Sequence, residues 1–127
     1  MEIKASLDTI ILYVQNVEKL KSFYSQTFNF SIVDEYESSW ALLGAGEAKI
    51  GLHKIGEQYL NKNRGEFKFD NNTKIVFAID GDINQVRTNF INANILMREI
   101  KTFDNYDFWL CDGEDPEGNV FQLKQRK

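Results

Sequence analysis

Apolar residues along this chain change their spacing in a regular way. Residues 9–14, TIILYV, form a compact apolar block of strand formers. From Val17 onward the spacing widens, and Val17, Leu20, Phe23, Tyr24 and Phe28 recur at intervals of three and four, which gathers them on one face of a helix. Asn16 stands just before that stripe, where its side chain can accept from the free amides of a first turn. The same succession returns about 65 residues later. An apolar block runs through Val76 and Ile79, Asp82 and Gln85 have the spacing of an acidic capping box, and Ile83, Val86 and Phe90 repeat the stripe. Ile11 answers to Val76 and Val14 to Ile79. After one inserted residue, Asn16 answers to Asp82, Val17 to Ile83, Leu20 to Val86 and Tyr24 to Phe90. This is one motif written twice.

Shorter strand-like runs follow each helix. They fall at 30–34, 40–43 and 48–53 in the first copy, the last two joined by the turn GAGE, and at 95–101, 107–112 and 119–125 in the second. The order is strand, helix, strand, strand, strand, twice over, which predicts an α+β domain of two βαβββ modules, at 1–56 and 73–127. The polar stretch 57–72 reads as a linker between them, and Tyr59, Phe67 and Phe69 leave open a flap over an apolar ligand. Near the end, Asp115-Pro116-Glu117-Gly118 has the composition of a type I turn leading into a strand carrying Val120, Phe121 and Leu123.

Composition narrows the choices further. With 127 residues, 43% of them hydrophobic, the chain fits one domain with a sizeable core. A net charge of −4 argues against nucleic acid as a partner, because phosphate binding needs a clustered basic surface. The nearest such cluster, Lys124, Arg126 and Lys127, reads as a solvated terminus. Apolar runs such as 10–12 and 75–78 are far short of the roughly 20 residues a membrane span needs. Acidic Glu2 and the lack of a long apolar stretch behind it show no secretory signal, and the lone Cys111 has no partner for an internal disulfide. A cytoplasmic protein with no membrane partner is expected.

The doubled plan, with "IILYVQNVEKLKSFYSQTFNF", "WALLGAGEAKIGLH" and "DPEGNVFQL", resembles the vicinal oxygen chelate superfamily, the group of glyoxalase I, bleomycin resistance proteins and extradiol dioxygenases. The resemblance implies the glyoxalase/bleomycin resistance fold, a curled mixed sheet with the helices outside, and a homodimer. It also implies a metal site taking one ligand from the first and one from the last strand of each module. Those positions fall here on Thr9, Gly51, Lys74 and Gln122. Thr9 is a poor ligand, Gly51 has no side chain and Lys74 brings positive charge, so only Gln122 could coordinate. No metal and no cofactor are expected.

The remaining candidates are weighed around that site. Gln122 either orients a bound polar ligand, or pairs with a neighbouring backbone group or lies in water. His53 lies two residues from Gly51, hence on the same strand face, and is either a base or a hydrogen-bonded strand-end histidine. Cys111 reads as a packed thiol. Tyr13, Trp40 and Trp109 are candidates for an aromatic binding wall. The acids Asp34, Glu35, Glu37, Asp104, Asp107 and Glu114 would attract a cationic ligand, whereas Lys49 and Lys74, assigned by parity to the site face, would favour an anion. The expected function is metal-free binding of a small organic molecule, an antibiotic or a metabolite. The alternatives are a glyoxalase-like lyase or isomerase, a ring-cleaving dioxygenase, and a fold that serves association alone.

Overall fold

The computed structural model describes residues 4, 7–56 and 73–127; the segment read as linker or flap, with Tyr59, Phe67 and Phe69, lies outside the described residues. The chain divides into two compact units, Met1–Arg64 and Gly65–Lys127.

The first unit runs β1 (Thr9–Val14), α1 (Val17–Phe28), β2 (Ser31–Tyr36), β3 (Trp40–Ala45) and β4 (Ala48–Lys54). Its sheet has the order β1-β4-β3-β2, with β1 parallel to β4 and the other pairs antiparallel. Alternation by two sorts the strands cleanly. Leu12, Val14, Ala41, Leu43, Ile50 and Leu52 are buried on one face, where the buried stripe Val17, Leu20 and Tyr24 of α1 covers them. Each such side chain taken from water contributes about 1.5–3 kcal/mol. Asn16 caps the helix as the sequence predicts, its Oδ1 accepting from the Lys19 amide at 3.0 Å. The helix ends at Asn29, whose φ of 58° is the left-handed conformation that asparagine tolerates. Between Ala45 and Ala48 the two-residue loop has positive φ only at Gly46, the pattern of a type II′ turn.

The second unit repeats the plan with β5 (Lys74–Ala78), α2 (Ile83–Asn92), β6 (Leu96–Met97), β7 (Phe108–Glu114) and β8 (Val120–Arg126). The sheet order is β5-β8-β7-β6, with β5 parallel to β8. Ile75, Cys111, Phe121, Leu123 and Ile83 of α2 are buried, and the Phe90 ring meets Phe121 edge-on at 6.3 Å. Two local expectations are corrected. The return half of the capping box is not made, because Gln85 donates to Asn89 while Asp82 caps the Asn84 amide. The Ile83 amide is instead satisfied by Gln125 of β8, at 2.7 Å. The strand expected over 95–101 is regular only at Leu96–Met97; the Arg98 amide still bonds to Asp112, and Lys101 bridges Leu110, so the edge is irregular between those points. The turn at Asp115 closes as read: the Gly118 amide donates to the Asp115 carbonyl, and the Asp115 carboxylate accepts from Glu117 and Asn119 amides. No described helix is long and apolar enough to cross a membrane.

Packing under α2 is tight at Gly113, where an added Cβ would lie 2.5 Å from Met97 Sδ and 2.6 Å from Phe121 Cζ. Phe121 is fully enclosed and cannot swing aside. Gly113→Ala is therefore expected to lower stability by about 1–3 kcal/mol, measured by urea denaturation; an unchanged midpoint would contradict this packing.

Candidate functional site

Among the described residues one helix covers one face of each sheet, so the candidate residues are those on the other. In the first unit the pairing register lays Tyr13, His53, Trp40 and Tyr36 in a single row, one from each strand, in the order β1, β4, β3, β2. The rings approach one another: Tyr13 to His53 at 5.3 Å and Trp40 to His53 at 6.0 Å, edge-on. Tyr13 is 56% and Tyr36 64% exposed, so the row is an open aromatic ledge. Tyr36 was not singled out from sequence.

The next row holds Ile11, Gly51, Leu42 and Asp34. Gly51 has a physical reason to be glycine. A Cβ there would lie 2.5 Å from Cη2 and 2.9 Å from Cζ3 of Trp40, so the indole occupies the space into which a side chain from this position would project. Thr9 and Lys49 pair in the row beyond, on the same face as Gly51. Both are turned to Asp8, whose carboxylate accepts from the Thr9 hydroxyl at 2.6 Å and lies 3.5 Å from Lys49 Nζ. His53 Nδ1 is 2.8 Å from the Lys54 carbonyl. A carbonyl only accepts, so Nδ1 carries hydrogen, and in the neutral ring Nε2 keeps the lone pair.

In the second unit the face away from α2 is organised around a residue the sequence did not mark. Asp112, only 5% exposed, pairs across the ladder with Gln122. Gln122 Nε2 donates to its Oδ1 at 2.9 Å, Lys74 Nζ donates to its Oδ2 at 2.9 Å, and Arg98 lies 3.7 Å from that same oxygen while binding Glu114 at 2.9 Å. Burial alone would push the Asp112 carboxyl up. The hydrogen bonds from Lys74 and Gln122, and the charges of Lys74 and Lys101, outweigh it and hold the group below its ordinary 3.8. The Gln122 amide nitrogen meets neither a backbone group nor water alone: its partner is the Asp112 side chain on the neighbouring strand.

Trp109 does not join this face. It pairs with Gln125, on the side of the sheet that carries Cys111 and Leu123, and Lys127 Nζ lies over its ring at 4.9 Å. Cys111 is buried, and burial pushes its thiol up, as an unreactive packed thiol requires. Several of the acids expected to ring a site are neutralised locally: Glu35 by Lys21 at 2.7 Å, Glu114 by Arg98, and Asp107 faces Arg126 at 4.0 Å.

The residues present do not fit a divalent ion. At the positions the fold implies for ligands, Gly51 is backed by an indole, Lys74 presents an ammonium group, and the Gln122 amide nitrogen and Lys74 both donate to one carboxylate. Among the described residues no three His, Cys, Asp or Glu side chains group closely enough to hold a metal.

Known proteins place this geometry in a wider setting. No curated protein matches the chain. Among solved structures, lactoylglutathione lyase from Agrobacterium tumefaciens is similar with a TM-score of 0.74 at 14% identity, covering 97% of this chain and 95% of its own. TnmS3, an antibiotic binding protein from Streptomyces sp. CB03234, gives 0.74 at 16% identity with all of both chains covered. The fosfomycin resistance protein FosX from Listeria monocytogenes gives 0.70 at 16%, covering 100% and 96%. At such identities these likenesses speak to the fold. The family model for the glyoxalase/bleomycin resistance protein/dioxygenase superfamily matches residues 6–81, and the chain belongs to that superfamily.

Proposed function

We propose that this chain is a binding protein for a small organic molecule and that it works without a metal ion. The observation that carries the reading is the commitment of Lys74 and Gln122 to Asp112, which leaves the second unit with an ammonium group where a cation-holding ligand would stand. The aromatic ledge of Tyr13, His53, Trp40 and Tyr36 supplies the holding surface, since stacked rings add about 0.5–1.5 kcal/mol beyond the area they bury. Thr9 and Lys49 stand two rows away on the same face and supply polar groups there. Trp109, on the helix side of its sheet, has no part in this reading. The same fold serves an antibiotic binding protein in one relative and a lyase in another, so the fold leaves both classes open and the side chains decide. Sequestration of an antibiotic or a metabolite is the role they favour. A homodimer belongs to the same reading: β2 is an edge of the first sheet, exposed along its whole length, and open edges invite pairing with a second copy.

A catalytic reading rests on one feature, the lone pair left on His53 Nε2, which could take a proton from a bound ligand. Elemental analysis separates the two. Purified protein is expected to carry no stoichiometric zinc, nickel or iron, to bind none on titration, and to leave the methylglyoxal–glutathione adduct unchanged. One ion per chain with turnover of that adduct would replace the binding reading with the enzymatic one. The neutral fluorescent probe N-phenyl-1-naphthylamine is expected to bind wild type and to bind Trp40→Ala roughly two- to tenfold more weakly, the range a lost stacking partner gives.

Asp112 supplies a further check. Because folding holds its carboxyl below 3.8, the group contributes stability that is fully present above that value and is lost as pH falls through the lower folded one. Asp112→Asn is expected to cost about 1.5–3 kcal/mol at neutral pH, the range for a hydrogen bond to a charged group. In urea denaturation the gap to wild type should close in strong acid, whereas a gap independent of pH would show that Lys74 and Gln122 are not held by the charge.

A further inference from the structure

The face of the second sheet turned away from α2 differs in charge from the chain as a whole. Three cross-strand rows can be followed on it. Lys74, Val120 and Glu114 form the first; Val76, Gln122, Asp112 and Arg98 the second; Ala78, Lys124, Leu110 and Lys101 the third. Lys74, Arg98, Lys101 and Lys124 therefore stand against only Asp112 and Glu114 in these rows, in a chain whose net charge is −4. The excess is not cancelled nearby. Among the described residues neither Lys101 nor Lys124 has a carboxylate within ion-pair reach, and Lys124 Nζ rests 4.1 Å above the Phe108 ring.

Asp112 does not remove this positive character; it organises it. A buried carboxylate with fixed partners draws Lys74 and Arg98 to the same oxygen, so two cations are held side by side. The Lys74 ammonium has three hydrogens and spends one on Asp112, and its side chain is 40% exposed. Beside it Val76 is 49% exposed and offers an apolar floor.

We infer that this face is a binding site for a small organic anion, whose carboxylate or phosphate oxygens are held by Lys74 and Arg98 and whose apolar part lies on Val76. The inference rests on the metal-free binding reading and adds to it the sign of the ligand's charge. It assigns Lys74 the work that a cation would otherwise do, since an ammonium pinned in place attracts oxyanions without a metal's ligand set. Of the acids elsewhere in the chain, Glu35 and Asp107 face cations of their own.

The test is a titration followed by amide NMR at low salt with three probes: benzoate, inorganic phosphate and benzyltrimethylammonium. Saturable shifts centred on Lys74, Val76 and Gln122 are expected with an anion and not with the cation. Benzoate alone would assign a carboxylate ligand, phosphate alone a phosphorylated one. Lys74→Met should weaken the binding about tenfold and Lys74→Arg should retain it. Lys101→Met, at an exposed position, should weaken it two- to threefold through the field alone, which guards against misreading a misfolded variant. Binding of benzyltrimethylammonium in preference to both anions, or equal anion binding in Lys74→Met and wild type, would overturn the inference. If neither anion binds while N-phenyl-1-naphthylamine still does, the charge assignment falls and the binding reading stands. If anions bind only after zinc is added, it is the metal-free reading that falls.

Discussion

A four-stranded sheet has two faces, and the described residues supply one helix for each of the two sheets. That shortage of cover is the constraint from which the rest follows. Under α1, Leu12, Val14, Leu43 and Leu52 are closed off, and under α2, Ile75, Phe121 and Leu123. Among the described residues no helix of the same unit packs on the opposite faces, where Leu110 and Asp112 are nevertheless buried. Tyr13, Tyr36 and Val76 remain more than two-fifths exposed there. Apolar groups left to water in rows, with registered polar neighbours, are what the proposed binding reading draws on.

On one of these surfaces the decisive balance is electrostatic. Placing the Asp112 carboxylate at 5% exposure costs several kcal/mol if it stands alone. Its two oxygens receive Gln122 and Lys74 directly, with Arg98 close by, and the net effect on its acidity is downward, so the partners outweigh the burial. Such an arrangement is self-sufficient. A divalent ion entering there would have to displace an ammonium group already paired in low dielectric, and the gain from a single amide oxygen could not repay that loss.

Much of this was legible from spacing. The stripes of both helices, the cap at Asn16 and the doubled order of elements needed only local periodicity, because each is set within a few residues. The sites needed more. Gln122 could be placed on a strand, but its partner Asp112 lies ten residues away on another strand, and a ladder register is fixed by the whole sheet. Tyr36 was hidden by a bulge. Ile32 pairs with Leu43 on the helix side, yet Asp34, two residues on, pairs with Leu42 on the open side, so the period of two breaks at Val33 and carries Tyr36 across. Trp109 failed for the opposite reason: an odd separation of three from Asp112 puts it on the other face, and nothing in the sequence said which of the two faces was open.

Duplication then explains why the two open faces differ. The matched strands place Tyr13 opposite Ala78 in the repeat and His53 opposite Lys124, so rings in one copy stand where a methyl group and an ammonium group stand in the other. The buried stripe recurs in both copies, while the opposite rows differ in chemistry between them. The two faces consequently draw on forces with different physical signatures. Stacking on the aromatic ledge scales with area removed from water and responds little to salt, whereas attraction to Lys74, Arg98 and Lys101 is screened over about 10 Å at 0.1 M ionic strength. The salt dependence of any ligand's affinity therefore reports which face it uses, even before the ligand is known in atomic detail.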